Sequence, residues 1–220
     1  MSPMTSSCST WNYIPPNDAT GVSRCVVHYL SINLIEDRNW RLGPAGMLRF
    51  GRKDVKDPVV SKLPEIEPSL EIGFFGAYEV VGTDPRDRWW LGGNLTHGIA
   101  GDNNGYTAAV SLRRWLPVGR YSALGFSLGT TYGSSNYMDT FFSVDVSGAS
   151  ASGLPVFQAG SGIRDIRATT IFMQPINKKW IVGGGILYSR LLNDAKRSPI
   201  VSERGEREQL VFGFGIARGF

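Results

Sequence analysis

Large apolar residues alternate with small or charged ones at a period of two along most of the chain. In 69–80, Leu70, Ile72, Phe74, Tyr78 and Val80 share one parity, and Glu71, Gly73, Ala77 and Glu79 share the other. In 40–53, Trp40, Leu42, Leu48 and Phe50 oppose Arg41, Arg49 and Gly51. In 208–220, Leu210, Phe212, Phe214 and Ile216 oppose Gln209, Gly213, Gly215 and Ala217. Successive side chains of a strand point to opposite faces, so each run reads as a strand with one apolar face. Nine runs are predicted to be strands: 29–35, 40–53, 69–80, 89–98, 105–115, 120–133, 164–176, 180–191 and 208–220. The run 180–191 is less regular, because Ile181 and Leu187 oppose Trp180, Val182 and Ile186.

Several runs reach ten residues or more. Strands of soluble domains cluster around 5–6 residues, whereas membrane-crossing strands need about 9–11. A soluble sandwich would show the same alternation with its apolar face buried, so alternation alone does not separate the two. Strand length favours an antiparallel transmembrane β-barrel of the outer-membrane type. Aromatic placement agrees: Trp40, Trp89, Trp115, Trp180, Tyr121 and Tyr188 fall near run ends, where the interfacial girdles of a barrel lie. So do the charges. An arginine on the lipid face costs about 2–4 kcal/mol at the midplane and about 0–1 near an interface. Arg114 and Arg218 share the apolar parity but sit at run ends, and Arg167, nearer mid-run, has the opposite parity.

Composition narrows the reading further. Of 220 residues 27 are glycine and 11% are aromatic, which suits strands and turns. The net charge of +4 is spread through mixed-sign segments with no run of five like charges, so no nucleic-acid partner is expected. Residues 1–28, with Pro15-Pro16, are read as a disordered or non-native segment, and 29–220 as the barrel domain. Cys8 and Cys25 in that segment lack metal-ligand spacing and are compatible with a disulfide or with two free thiols. The stretch "MSPMTSSCSTWNYIPPNDATG" has neither a basic n-region nor an apolar h-region, so no signal peptide is visible.

Catalytic and cofactor motifs are not found. There is no P-loop, GxSxG, HExxH or CxxC, and "GSGIRDI" at 160–166 and "GGG" at 183–185 lack a phosphate-loop context. His28 and His97 are the only imidazoles, and His97 with Asp102 at a barrel rim is the one arrangement that would suit a hydrolase. The expectation is a non-enzymatic protein with no cofactor and no metal.

The C-terminal third carries a family resemblance. "YSRLLNDAKRSPIVSERG" at 188–205, followed by a Gln-containing strand and a final Phe, resembles the MltA-interacting protein/OmpV family of Gram-negative outer-membrane proteins. "FGRKD" at 50–54, "SNYMDTFFSV" at 135–144 and "SGLPVF" at 152–157 fit the same pattern. The resemblance covers roughly 29–220. Its motif residues here are Tyr188, Arg190, Leu191, Asp194, Ala195, Ser198, Pro199 and Gly205. The chain departs from the family at Asn193, where Gly is usual, and at Arg218, third from the end, where an apolar or aromatic residue is usual. Phe212, Phe214, Ile216 and Phe220 still resemble the C-terminal signal read by the barrel-assembly machinery.

The resemblance implies a scaffold in the outer membrane, embedded in its lipid and partnered by a lytic transglycosylase and a murein synthase. It also implies a periplasmic C-terminus. Strand alternation then puts 54–68, 99–104, 134–163 and 192–207 outside and 36–39, 81–88, 116–119 and 177–179 in the periplasm, so the three longest connections all fall outside, as in known barrels. The charged segment 192–207 is expected to be a solvated external loop. Periplasmic partners would have to use a short turn, for which "VGTDPRDRW" at 81–89 is the candidate, with Asp84, Arg86, Asp87 and Arg88. The alternative is a small-solute channel, its lumen lined by Glu71, Glu79, Arg41, Arg49 and Arg167, or an adhesin using loops 134–163 and 192–207. Nine is odd and barrels close on even numbers, so the chain is expected to lack a signal peptide and at least one N-terminal strand of a ten- or twelve-stranded barrel.

Overall fold

Period-2 alternation becomes strand almost wherever it is expected, in a computed structural model that describes residues 29–35, 37–53 and 55–218. The strands are β1 (Tyr29–Ser31), β2 (Trp40–Arg49), β3 (Ser69–Val81), β4 (Arg88–Ala100), β5 (Tyr106–Val118), β6 (Ser122–Gly133), β7 (Gly162–Pro175), β8 (Trp180–Leu191) and β9 (Glu208–Arg218). They form one all-antiparallel meander in sequence order. The expected segment 1–28, with Cys8, Cys25 and His28, and the closing Phe220 lie outside the described residues.

Two strands, β1 and β2, are each four residues shorter than expected, and β6 starts two residues late, at Ser122. The ladder of β1 continues past Ser31, with Ile32 N–H donating to Pro44 O at 3.1 Å and Leu34 N–H to Leu42 O at 2.8 Å. Pro44 has no N–H to return, so the pairing is one-sided there. The run 40–53 stops as a strand at Arg49. Beyond it Arg52 pairs with Ile66, so the connection folds back on itself.

The sheet is curved. Neighbouring strands lie about 4.8 Å apart, so β2 and β7, five strands apart, would be about 24 Å apart in a flat sheet. Yet Arg49 of β2 and Arg164 of β7 both donate to the hydroxyl of Tyr137. Among the described residues β1 and β9 stand at the two ends of the strand order, and the sheet is not closed between them. The register carries local irregularities at Leu70/Glu71 and Thr131/Tyr132. Close backbone approach also matters: a Cβ on Gly73 would lie 1.8 Å from Leu95 O, so only glycine fits.

Registers settle which residues share a face. Arg41, Arg49, Glu71, Glu79 and Arg167 all point inward, as parity predicts. The outward face carries Leu70, Ile72, Phe74, Leu91, Leu95, Leu128, Phe212 and Ile216, all exposed, with Phe74 at 71% and Phe214 at 98%. A soluble sandwich would turn this face inward. Here the large apolar residues are outside and the charges inside, which is the arrangement of a membrane barrel. The expected soluble alternative is therefore not the fold. Ile181 and Leu187 point inward, which explains the irregular parity of β8.

The connections 50–68, 134–161 and 192–207 gather at one end of the sheet, the cap end; the shorter turns, at 82–87, 119–121 and 176–179, mark the turn end. Contrary to the reading as plain loops, the cap is folded. It contains a 3-10 turn at Val60–Lys62, α1 (Ser135–Phe142), α2 (Val146–Ser152), α3 (Asn193–Arg197) and α4 (Pro199–Ser202). Ser134 and Asp145 cap α1 and α2 by accepting from Tyr137 N–H and Gly148 N–H. Val60, Leu63, Val144 and Leu154 form one small core, and Tyr137, Met138, Ala159 and Ala195 another.

Candidate functional site

Beneath the cap, the inner face carries a buried charged network. The outward-inward alternation of β2–β5 places Arg49, Glu71, Thr96 and Thr107 side by side, because each opposes the next in register or one pair away. Glu71 is fully buried and accepts from Arg49 Nη2 at 3.0 Å, Thr96 Oγ1 at 2.8 Å and Asn103 Nδ2 at 2.7 Å. Arg49 Nε makes a second bond to Glu71, so the pair is bidentate. Thr96 and Thr107 hydroxyls lie 3.0 Å apart.

A second group lies on β6 and β7. Arg164 donates to Asp165 at 2.5 Å, Arg167 Nε stands 3.1 Å from Asp165 Oδ1, and Arg167 donates to Thr131 Oγ1 at 2.6 Å. Tyr137 of α1 joins the two groups. Its hydroxyl accepts from Arg49 Nη1 at 3.3 Å and from Arg164. Its ring lies under both guanidiniums, 4.9 Å and 5.5 Å from their carbons. The helix is thus wedged into the inner face by one aromatic side chain. Parity identifies Arg49, Glu71 and Arg167, but Tyr137 and Arg164 are not found by it. Tyr137 belongs to a helix, and Arg164 is the extra residue where the register shifts.

Within 188–205, Tyr188, Arg190 and Leu191 end β8, and 193–205 contribute α3, α4 and their turn to the cap. Asn193 adopts φ +46°, the left-handed conformation that glycine usually supplies, and its side chain donates to Ile163 O at 3.0 Å. Asp194 accepts from Gly160 N–H at 2.9 Å. Ala195 is fully buried against the Tyr137–Met138 core, which Leu191 also borders. Ser198, also fully buried, donates to Phe142 O at 2.6 Å. Pro199 starts α4, and Gly205 N–H closes on Val201 O at 3.2 Å. Tyr188 faces outward opposite Leu210, and Arg190 pairs with Glu208 at 3.5 Å. The expectation of a solvated loop is corrected in part: Ala195, Ser198, Pro199 and Val201 are buried, while Arg197 and the run 202–207, with Glu203, Arg204, Glu206 and Arg207, are exposed. Phe212, Phe214 and Ile216 line the outward face of β9.

At the turn end, the candidate docking residues are each fixed by a neighbour. Arg86 pairs with Asp84 at 2.6 Å and donates to Ser122 O at 3.0 Å, which ties the 82–87 turn to the 119–121 turn. Arg86, through its side chain and then its N–H, holds the Asp84 carboxyl below the usual aspartate range. Asp87 pairs with Arg114, and Arg88 lies 3.4 Å from Glu79, which also meets Arg41 at 3.5 Å. Arginine–aromatic stacks surround this end: Arg114 over Trp89 at 4.7 Å, Arg120 over Tyr121 at 5.2 Å and Arg218 over Trp180 at 5.8 Å.

The structure does not bring His97 and Asp102 together. Asp102 accepts from Glu67 N–H at 2.6 Å, whereas His97 is on the outward face opposite Ile72 and Tyr106. A comparison with curated proteins and one with solved structures found no match. The family described as MltA-interacting protein MipA matches residues 20–220. That match, over nearly the whole chain, means that the chain belongs to the MltA-interacting protein MipA family.

Proposed function

We propose that the chain is a non-enzymatic outer-membrane barrel that holds a lytic transglycosylase and a murein synthase at the periplasmic side. Family membership supports the first partner by name. The apolar outward face supports the membrane setting, because lipid removes the cost of leaving Phe74, Phe212 and Phe214 uncovered. With the cap outside, the turn end faces the periplasm. The observation that carries docking there is the preorganised turn: Asp84, Arg86, Asp87 and Arg88 each have an intramolecular partner, so a protein binding them meets a fixed charge pattern and orders little.

The test exchanges residues 84–88 for Gly and Ser and measures capture of the purified transglycosylase by the inserted barrel. Capture is expected to fall at least tenfold, about 1.4 kcal/mol. Unchanged capture by a correctly inserted variant would reject the turn as the dock. The channel alternative has less support, because the Tyr137 wedge and its two arginines occupy the inner face at the cap end.

A further inference from the structure

Parity and register create a trough on the outward face of β1–β5, at the cap end. One cross-strand row reads Leu30, Gly46, Ile72, His97, Tyr106. The row beneath it pairs Pro44 with Phe74 and Phe74 with Leu95. Gly46 and Pro44 are the low points, and Leu30, Ile72 and Phe74 are the ridges. The cleft holds about 860 Å³, within the range of small-ligand sites, and its walls are almost entirely carbon. The polar exceptions on this face are the Tyr106 hydroxyl, which bonds Tyr132, and His97. The His97 imidazole is exposed among Ile72, Leu95, Ile99 and Tyr106 and makes no hydrogen bond within the described residues. A polar group facing hydrocarbon without a partner is costly, so His97 calls for one from outside the chain.

We propose that this trough binds a single membrane lipid, one acyl chain lying over Gly46 and Pro44 and an ester or phosphate oxygen accepting from His97. The geometry fits an amphiphile of that polarity: the polar group stands nearer the cap, and the apolar floor extends from it toward the turn end. The proposal rests on the outer-membrane reading above. Gly46 offers a clean test, because a Cβ there meets nothing nearer than Glu71 O at 3.9 Å, so a large side chain can fill the trough without displacing the sheet.

The experiment uses the full chain, extracted in mild detergent and loaded with dimyristoylphosphatidylglycerol, with bound lipid counted by native mass spectrometry. Wild type is expected to retain one lipid, Gly46→Trp to lose it at least tenfold, and His97→Leu to weaken retention severalfold with the trough intact. Insertion of each variant is checked by a boiled-versus-unboiled mobility shift. Equal retention by inserted wild type and Gly46→Trp would overturn the proposal while leaving the barrel reading intact. So would a wild-type dimer that Gly46→Trp converts to monomer, since a second copy would then be the occupant. Failure of the wild type itself to shift would overturn the membrane reading on which the proposal stands.

Discussion

Arg204 grips the Asp57 carboxylate with two nitrogens, Nη2 at 2.7 Å and Nε at 3.1 Å, across 147 positions of sequence. Asp57 also accepts from Val59 and Val60 N–H, both at 2.9 Å, and so caps the 3-10 turn whose Val60 enters the cap core. One ion pair thereby joins the first cap segment to the last.

The pair makes the cap acid-sensitive. The Arg204 hydrogen bond, with the Val60 N–H next, lowers the Asp57 pKa from its ordinary 3.8 to about 2. A carboxylate held below its unfolded value adds stability above about pH 4, and that stability is lost as pH falls toward 2. Hydrogen exchange of residues 57–63 and 199–205, corrected for intrinsic rate, is expected to rise between pH 4 and 2. Arg204→Gln should already exchange faster at pH 6 and lose most of the acid dependence. A flat profile in wild type would refute the link.

Glu71 is the most exacting residue of the inner network. Glu71→Leu leaves the half-buried Arg49 guanidinium without its carboxylate, and the loss is expected to lie at or below the low end of the about 3–5 kcal/mol that breaking a fully buried pair costs. Arg49→Met combined with Glu71→Leu should recover much of that loss. Urea unfolding of refolded barrel in detergent distinguishes the cases: additive losses in the double variant would mean that the two residues act independently.

The Tyr137 wedge predicts a closed lumen. Tyr137→Phe removes hydrogen bonds to two guanidiniums and should cost about 1.5–3 kcal/mol, on the scale of a bond to a charged group. Tyr137→Ala also removes the ring and should convert a near-silent protein into one with discrete conductance steps in planar bilayers. Equal conductance in wild type and Tyr137→Ala would show that α1 is not the barrier.

Asn193 stands in for a glycine. Asn193→Gly should be tolerated, whereas Asn193→Val meets the steric cost of the left-handed region, about 1–2 kcal/mol. Thermal unfolding of the three proteins orders them, and a Val variant as stable as wild type would contradict the φ of +46°.

Parity makes the barrel wall legible, because a strand's two faces follow from odd and even position alone. Arg167 is placed inward, and Arg114 and Arg218 at run ends, before any contact is known. The cap is not legible in the same way. Its helices are short, with 8 and 7 residues in α1 and α2, and its core joins Val60, Val144 and Leu154 from distant segments. Ser198 looks like a polar loop residue until its acceptor, Phe142 O, is brought from 56 positions away. The trough is equally hidden: Gly46 reads as a strand glycine, and only the register sets it between Leu30 and Ile72.

The most direct test of the membrane-spanning scaffold is heat-modifiability. The chain is expressed with a signal peptide, extracted from the outer membrane, and run boiled and unboiled. A faster unboiled band, abolished by boiling, is the predicted result and marks a detergent-resistant barrel. A single mobility, with the protein soluble in water without detergent, would contradict it.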